Sequence, residues 1–462
     1  MGSVFVTKRV NVYPKTMQPT KIMKLSNLDR QCPTLMYLVF FYNPCHNHNF
    51  SNDYVFSSLK LGLEETLSLW YPAAGRLSKN PNNGNKLDLW CNNGGAIMVE
   101  AVTQAMISEL GNLNQYNEFF ENLVYKPPSN NGNISEMPLL VAQVTKFGCG
   151  GYSIGVGTSH ALFDGQATFN FVSAWASKAH HNTKLGIEWH KPLHERDTLL
   201  HLKSNSNNNP ESALTKVAAI HHLYQLITQS APVSGGGMLM NPQLFVPSIQ
   251  DDCVLRTFHF SSSMIDTLKR RTYGLNNYSS SSCSSFEIVT AHLWKARTKA
   301  LGLRRERMVC LQFAVNTRTR LTPQLSQGFS GNAYVLASVA LTAGELELAS
   351  YETLVNKIKM AKNSVDNDYV STYLEVLEGS GDALPSLREL TMVSDWTRMP
   401  FHKVNFMHPY ANAAVSVCPL TPPVPQVAYF MQSPKEDKGI DVRIGLNSLI
   451  LNAFSHYFLN IS

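Results

Sequence analysis

Charge is scarce in this chain: only 16% of its 462 residues are Asp, Glu, Lys or Arg, and the net charge is +6. The small positive surplus is not gathered into basic blocks. Neither zinc-finger spacing nor an arginine-rich arm occurs, so nucleic acid is not an expected partner. Cysteine is thin as well, eight residues spread along the sequence with no CxxC, which predicts reduced, scattered, mostly buried thiols. No window approaches the ~20 continuous apolar residues of a membrane span. The opening MGSVFVTKRVNVYP lacks an apolar h-region and moves straight into strand-like alternation, so the expected compartment is cytoplasmic. No HExxH zinc motif is present, His180-His181 and His221-His222 lack partners at metal spacing and read as solvated, and no covalent nucleophile is evident.

What remains is a globular composition, 44% hydrophobic and 10% aromatic, in a chain too long for one compact core. The clearest composition break is KSNSNNNPES, a polar segment with nothing to bury. It divides the chain into an N-terminal domain over 1–202, a linker or crossover over 203–213, and a C-terminal domain over 214–462, parts of which are able to cross to the first domain's sheet. Apolar periodicity predicts helices at Tyr54–Trp70, Ala161–His180 and Ser285–Leu301. LDLWCN and AIMVEAV read as paired strands around a glycine turn. PLLVAQVTKF and YSIGVGTS read as a hairpin closed by GCGG, and YLVFFY (37–42) as a core strand. The class is α/β, or α+β, with mixed sheets.

The stretch SHALFDG (159–165) carries the chemistry. With 15 histidines in the chain, chance alone supplies roughly half an HxxxD match, so spacing proves little. Context adds more. His160 is delivered by the end of a buried strand, a rigid support beside an inter-element crevice, and an imidazole is the usual group for taking a proton from an alcohol or amine. Asp164 either orients that ring or serves the first turn of the following helix. Ser284–Glu287 fits a capping box at the head of another helix.

SHALFDG after a glycine-bearing strand resembles the HxxxDG motif of the plant BAHD acyltransferases, which act on acyl-CoA, and the resemblance spans the whole chain. YPAAGRL (71–77), SSFEIVTAHLWKARTKALGL (284–303), VNTRTRL (315–321) and GFSGNA (328–333) are similar to that family's segments. It implies two chloramphenicol-acetyltransferase-like domains, each a mixed sheet flanked by helices, with a channel at their interface. It implies acyl-CoA as co-substrate, with no bound cofactor and no metal. The acceptor would be a hydroxyl or amine of a plant specialised metabolite or hormone-like small molecule, and the protein a monomer. His160 would be the general base, Asp164 a structural, orienting residue, and Ser394 in MVSDWTRMPF the oxyanion donor. Ser284 and Ser285 would lie toward CoA, and Trp396 toward substrate.

Two departures stand out. Asp395 occupies a place where a small serine is usual. The family's DFGWG is degraded to Asn405-Phe406-Met407-His408-Pro409, losing an aspartate that supports the CoA channel and both glycines. That loss keeps an alternative open: a non-catalytic accessory protein of very-long-chain fatty-acid and wax elongation.

Overall fold

The computed structural model describes residues 2–31, 33–44, 52–128, 133–180, 188–202, 253–274, 283–377, 389–407, 414–420 and 426–461. The expected linker at 203–213 lies outside them, as do His181, His221, His222, His408 and Pro409. Strands run in the order β1 (Val4–Val12), β2 (Lys21–Met23), β3 (Leu35–Tyr42), β4 (Arg76–Asn80), β5 (Lys86–Cys91), β6 (Ala96–Thr103), β7 (Leu140–Lys146) and β8 (Tyr152–Ser159). The C-terminal half adds β9 (Cys253–Phe260), β10 (Met308–Asn316), β11 (Tyr334–Thr342), β12 (Leu390–Trp396), β13 (Ser416–Pro419), β14 (Val427–Gln432) and β15 (Ile440–Asn447). Two mixed six-stranded sheets form, β1-β6-β7-β8-β3-β13 and β11-β10-β12-β14-β15-β9, beside a small sheet β2-β5-β4.

This is a two-domain α/β fold with helices packed on mixed sheets. Each sheet has its own apolar core, one built around Trp70, Phe171 and Trp175, the other around Trp294, Phe313 and Phe430. The division is not clean along the chain. β13 comes from the C-terminal half yet pairs antiparallel with β3 at the edge of the N-terminal sheet, Val417 opposite Phe40. Phe406 also crosses, its ring meeting Phe40 at 5.3 Å and Trp175 at 4.8 Å. The remnant of the degraded motif is therefore buried in the N-terminal core. Tyr42 Oη donates to the Val404 carbonyl (2.8 Å), and Asn405 Oδ1 accepts from Met407 N (2.9 Å) in a side-chain turn.

Three sequence expectations need correction. β5 and β6 do not pair: β6 runs antiparallel to β1 and parallel to β7, while β5 joins the small sheet. The Asn92–Gly95 segment carries the chain from one sheet to another, with φ of 55° at Asn93 and 77° at Gly95, a left-handed geometry suited to glycine. The helix expected from Ala161 starts only at Gly165, because the preceding residues form a turn closed onto the Ser159 carbonyl. His180 is not simply solvated; its Nε2 meets the Phe406 carbonyl at 3.0 Å.

A buried histidine ties the halves together. His194 Nε2 donates to the Leu69 carbonyl (2.8 Å), so Nδ1 accepts from Ser330 Oγ (2.6 Å). Burial lowers its pKa to about 4, against the raising effect of the Leu69 carbonyl. An unfolded chain protonates this ring near 6.5, so between those values the unfolded state binds more protons and acid favours unfolding. Urea midpoints are expected to fall as pH drops from about 6.5 to about 4. The slope in that window should flatten in His194→Gln.

Candidate active site

β8 is buried along its whole length and is thinned by glycines where neighbours press close: a Cβ on Gly155 would sit 2.1 Å from the Leu123 carbonyl oxygen. The letters GYSIG (151–155), which lead into it, match a nucleophile-elbow pattern. Ser153, however, is fully buried in mid-strand, opposite Phe41 and Thr145, so it cannot act as an exposed nucleophile.

His160 follows directly. Its N–H donates to the Thr34 carbonyl (2.8 Å) and its carbonyl accepts from Asn332 Nδ2 (2.7 Å). The backbone is thus pinned from both halves. The ring is half-buried, lies 5.9 Å from that of Tyr334, and has no hydrogen-bond partner among the described residues. It lines a cavity of about 790 Å³ between the domains.

Asp164 caps the Gly165–Ala179 helix, Oδ1 accepting from Ala167 N at 2.8 Å. Arg318 grips the same carboxylate twice, at 2.7 and 3.0 Å, and Ala333 N donates to Oδ2 at 3.1 Å. Both members of the ion pair are buried, Arg318 to 1% exposure. With four donors in place the carboxylate is committed to the backbone and to Arg318, with no bond to the His160 ring. Gly165 leaves room beside it: a Cβ there would lie 3.0 Å from Met399 Cε and 3.3 Å from Trp396 Nε1.

A second buried carboxylate, which the sequence reading passed over, works beside the first. Asp29 Oδ1 accepts from Asn332 N (2.9 Å) and Nδ2 (3.0 Å), and Oδ2 accepts from Arg196 Nε (3.2 Å). Consecutive amides of residues 332 and 333 are therefore held by Asp29 and Asp164. The local signal was the S-x-x-D capping box of Ser26–Asp29, which says nothing about Asn332, 303 positions away.

The C-terminal sheet supplies the opposite wall. Ser394 lines the cavity, and its Oγ accepts from Trp396 Nε1 at 3.0 Å. Trp396 packs on Phe401 and Tyr429. Asp395 also lines the cavity; burial pushes its carboxyl up, against bonds from Thr397 and the charges of Arg398 and Lys362. Ser284 and Ser285 reach the same cavity at the head of the Ser285–Ala300 helix. There the capping box forms as read, Ser284 Oγ accepting from Glu287 N at 3.2 Å. Lys362 binds Glu287 from the side. Arg320 has its Nη1 3.4 Å from the Val365 carbonyl. Among the described residues no group of three or more His, Cys, Asp or Glu is placed to hold a metal ion, and no helix is long and apolar enough to cross a membrane.

The model of the Transferase family matches residues 3–460. This chain belongs to that family, the plant BAHD acyltransferases. It is 52% identical to brassinosteroid-related acyltransferase 1 of Arabidopsis thaliana, with 98% of each chain covered. It is 28% identical to omega-hydroxypalmitate O-feruloyl transferase of the same plant, covering 97% of this chain and 91% of that one. Among solved structures it resembles vinorine synthase, at TM-score 0.73 and 20% identity, covering 99% of this chain and 98% of the other. It also resembles F. sporotrichioides TRI101, solved with coenzyme A and T-2, at TM-score 0.67 and 14% identity, covering 93% of this chain and 96% of the other. The protein is an acyltransferase, and BAHD enzymes use a CoA thioester as co-substrate. The non-catalytic alternative is left without support.

Proposed function

We propose that this BAHD enzyme moves an acyl group from acyl-CoA to a hydroxyl or amine of a small plant metabolite, by direct attack and without a covalent enzyme intermediate. One observation carries the reading: a backbone-pinned His160, its ring without a hydrogen-bond partner among the described residues, faces a cavity between the domains. His160 takes the acceptor's proton as general base while the acceptor oxygen or nitrogen attacks the thioester carbonyl. As the tetrahedral intermediate collapses, the imidazolium returns that proton to the departing CoA sulfur. Ser394 supports the oxyanion. Its oxygen already accepts from Trp396, which leaves its own O–H free to donate to the developing charge. Asp164 orients the motif and takes no proton.

Apolar walls built from Met36, Leu38, Phe163, Phe313 and Leu336 suit a large, mostly hydrophobic acceptor. Together with the 52% identity to the brassinosteroid-related relative, they favour a hydroxylated steroid-sized alcohol. The test is turnover: purified protein with acetyl-CoA and a brassinosteroid, following free thiol and product mass. Thiol release above the acceptor-free control is expected. Its absence across acetyl, longer aliphatic and aromatic donors would overturn the reading.

A further inference from the structure

Phe329–Tyr334, a segment of the C-terminal half, carries no charge of its own, yet two buried carboxylate–arginine pairs bracket it. On one side Arg318 donates to the Phe329 and Gly331 carbonyls (2.9 and 3.1 Å), and Asp164 accepts from Ala333 N. On the other, Asp29 accepts from Asn332 N, and the Arg196 guanidinium lies over the Phe329 ring at 5.1 Å. Gly331 makes that approach possible, because a Cβ there would sit 2.7 Å from Arg196 Cζ.

The clamped segment presents one polar side chain to His160. Both hydrogens on Asn332 Nδ2 are engaged, one by Asp29 Oδ1 (3.0 Å) and one by the His160 carbonyl (2.7 Å). With two acceptors facing the same end, the amide has a single usable orientation. Its Oδ1 is buried and has no hydrogen-bond partner among the described residues, an arrangement that costs stability. Filling space alone would be better served by an apolar side chain. What the amide adds is a bond from the C-terminal half to the backbone of the base. Ser394, on the opposite wall, belongs to that same half. The bond therefore holds base and oxyanion donor in register across the interface, where a misplacement of about 1 Å costs on the order of 10²-fold in rate.

We propose that Asn332 is a positioning residue for His160, oriented by Asp29, and that it acts through the His160 backbone rather than on substrate. Asn332 is fully buried and, unlike Ala333 and Tyr334, does not line the cavity. The inference rests on the reading of His160 as general base.

The test is a double-mutant cycle. Asn332→Ser shortens the side chain, withdrawing the bond to His160 while leaving a hydroxyl beside Asp29. Turnover of acetyl-CoA with the brassinosteroid acceptor is measured for wild type, Asn332→Ser, His160→Ala and the double variant, with thermal midpoints alongside. Asn332→Ser is expected to lower kcat roughly ten- to hundredfold, with both KM values within about threefold of wild type. In the His160→Ala background it should add no more than about a twofold loss, because the group it positions is gone. A merely structural role would lower turnover by the same factor in both backgrounds. That result, or an unchanged kcat in Asn332→Ser, overturns the role of Asn332 alone. Asp29→Asn reads the same role with Asn332 left in place: kcat should fall less, and again only while His160 is present, and an equal fall in both backgrounds also overturns it. Wild-type turnover by His160→Ala would remove the general-base reading and this inference together, so the two failures are distinguishable.

Discussion

His160→Ala is expected to lower kcat by roughly 10²–10⁴-fold with the fold intact, the usual worth of a general base. The geometry explains why the fold should survive. Both anchors of residue 160 are backbone groups, the N–H to Thr34 and the carbonyl to Asn332, and alanine keeps them. The imidazole makes no hydrogen bond of its own among the described residues, so its removal leaves no buried partner unsatisfied. Turnover, with the thermal midpoint measured alongside, decides the matter. An alanine variant that retains wild-type kcat would sink the general-base assignment, and one that loses activity only by unfolding would leave it unsupported.

Asp164→Ala should act on the other side of that divide. It leaves the charge of a buried Arg318 without its counterion and the amides of Ala167 and Ala333 without their acceptor. Removing one member of a buried ion pair costs about 3–5 kcal/mol, a large share of a typical domain's margin. The denaturant midpoint should collapse. Asp164→Asn, which keeps the cap and one bond to Arg318, should lose less. Combining Asp164→Ala with Arg318→Met should recover part of the loss, since the stranded charge is then gone. A stable Asp164→Ala with a shifted pH–rate profile would instead mark the carboxylate as a participant in proton transfer.

Those contrasting outcomes trace what was legible in the sequence. The strand that ends at Ser159, the helices of the Tyr54 and Ser285 regions and the Ser284 capping box all follow from local periodicity and capping chemistry, and the structure reproduces them within a few residues. Partners across the sheets do not. LDLWCN and AIMVEAV looked like a hairpin because they are adjacent and strand-like. What separates them is the backbone turn at Asn93 and Gly95 and the better partner that AIMVEAV finds in Leu140–Lys146. Asp29 was invisible for the same reason: its capping role is local, whereas its grip on Asn332 exists only once the two halves meet. The degraded DFGWG segment gave a warning about the donor channel. Of its residues, Phe406 packs between Phe40 and Trp175, contacts that no local pattern announces.

The placement of β13 bears on how the molecule can be taken apart. A fragment stopping at residue 202 would contain β3 without the strand that covers its outer edge, and bare edges recruit other chains. It would also lack Phe406, leaving a hole between Phe40 and Trp175. Halves produced separately are thus poor candidates for solubility, while co-expressed halves have a reason to find each other. Melting should be seen as a single transition rather than two, because the C-terminal half cannot unravel without taking a strand out of its neighbour.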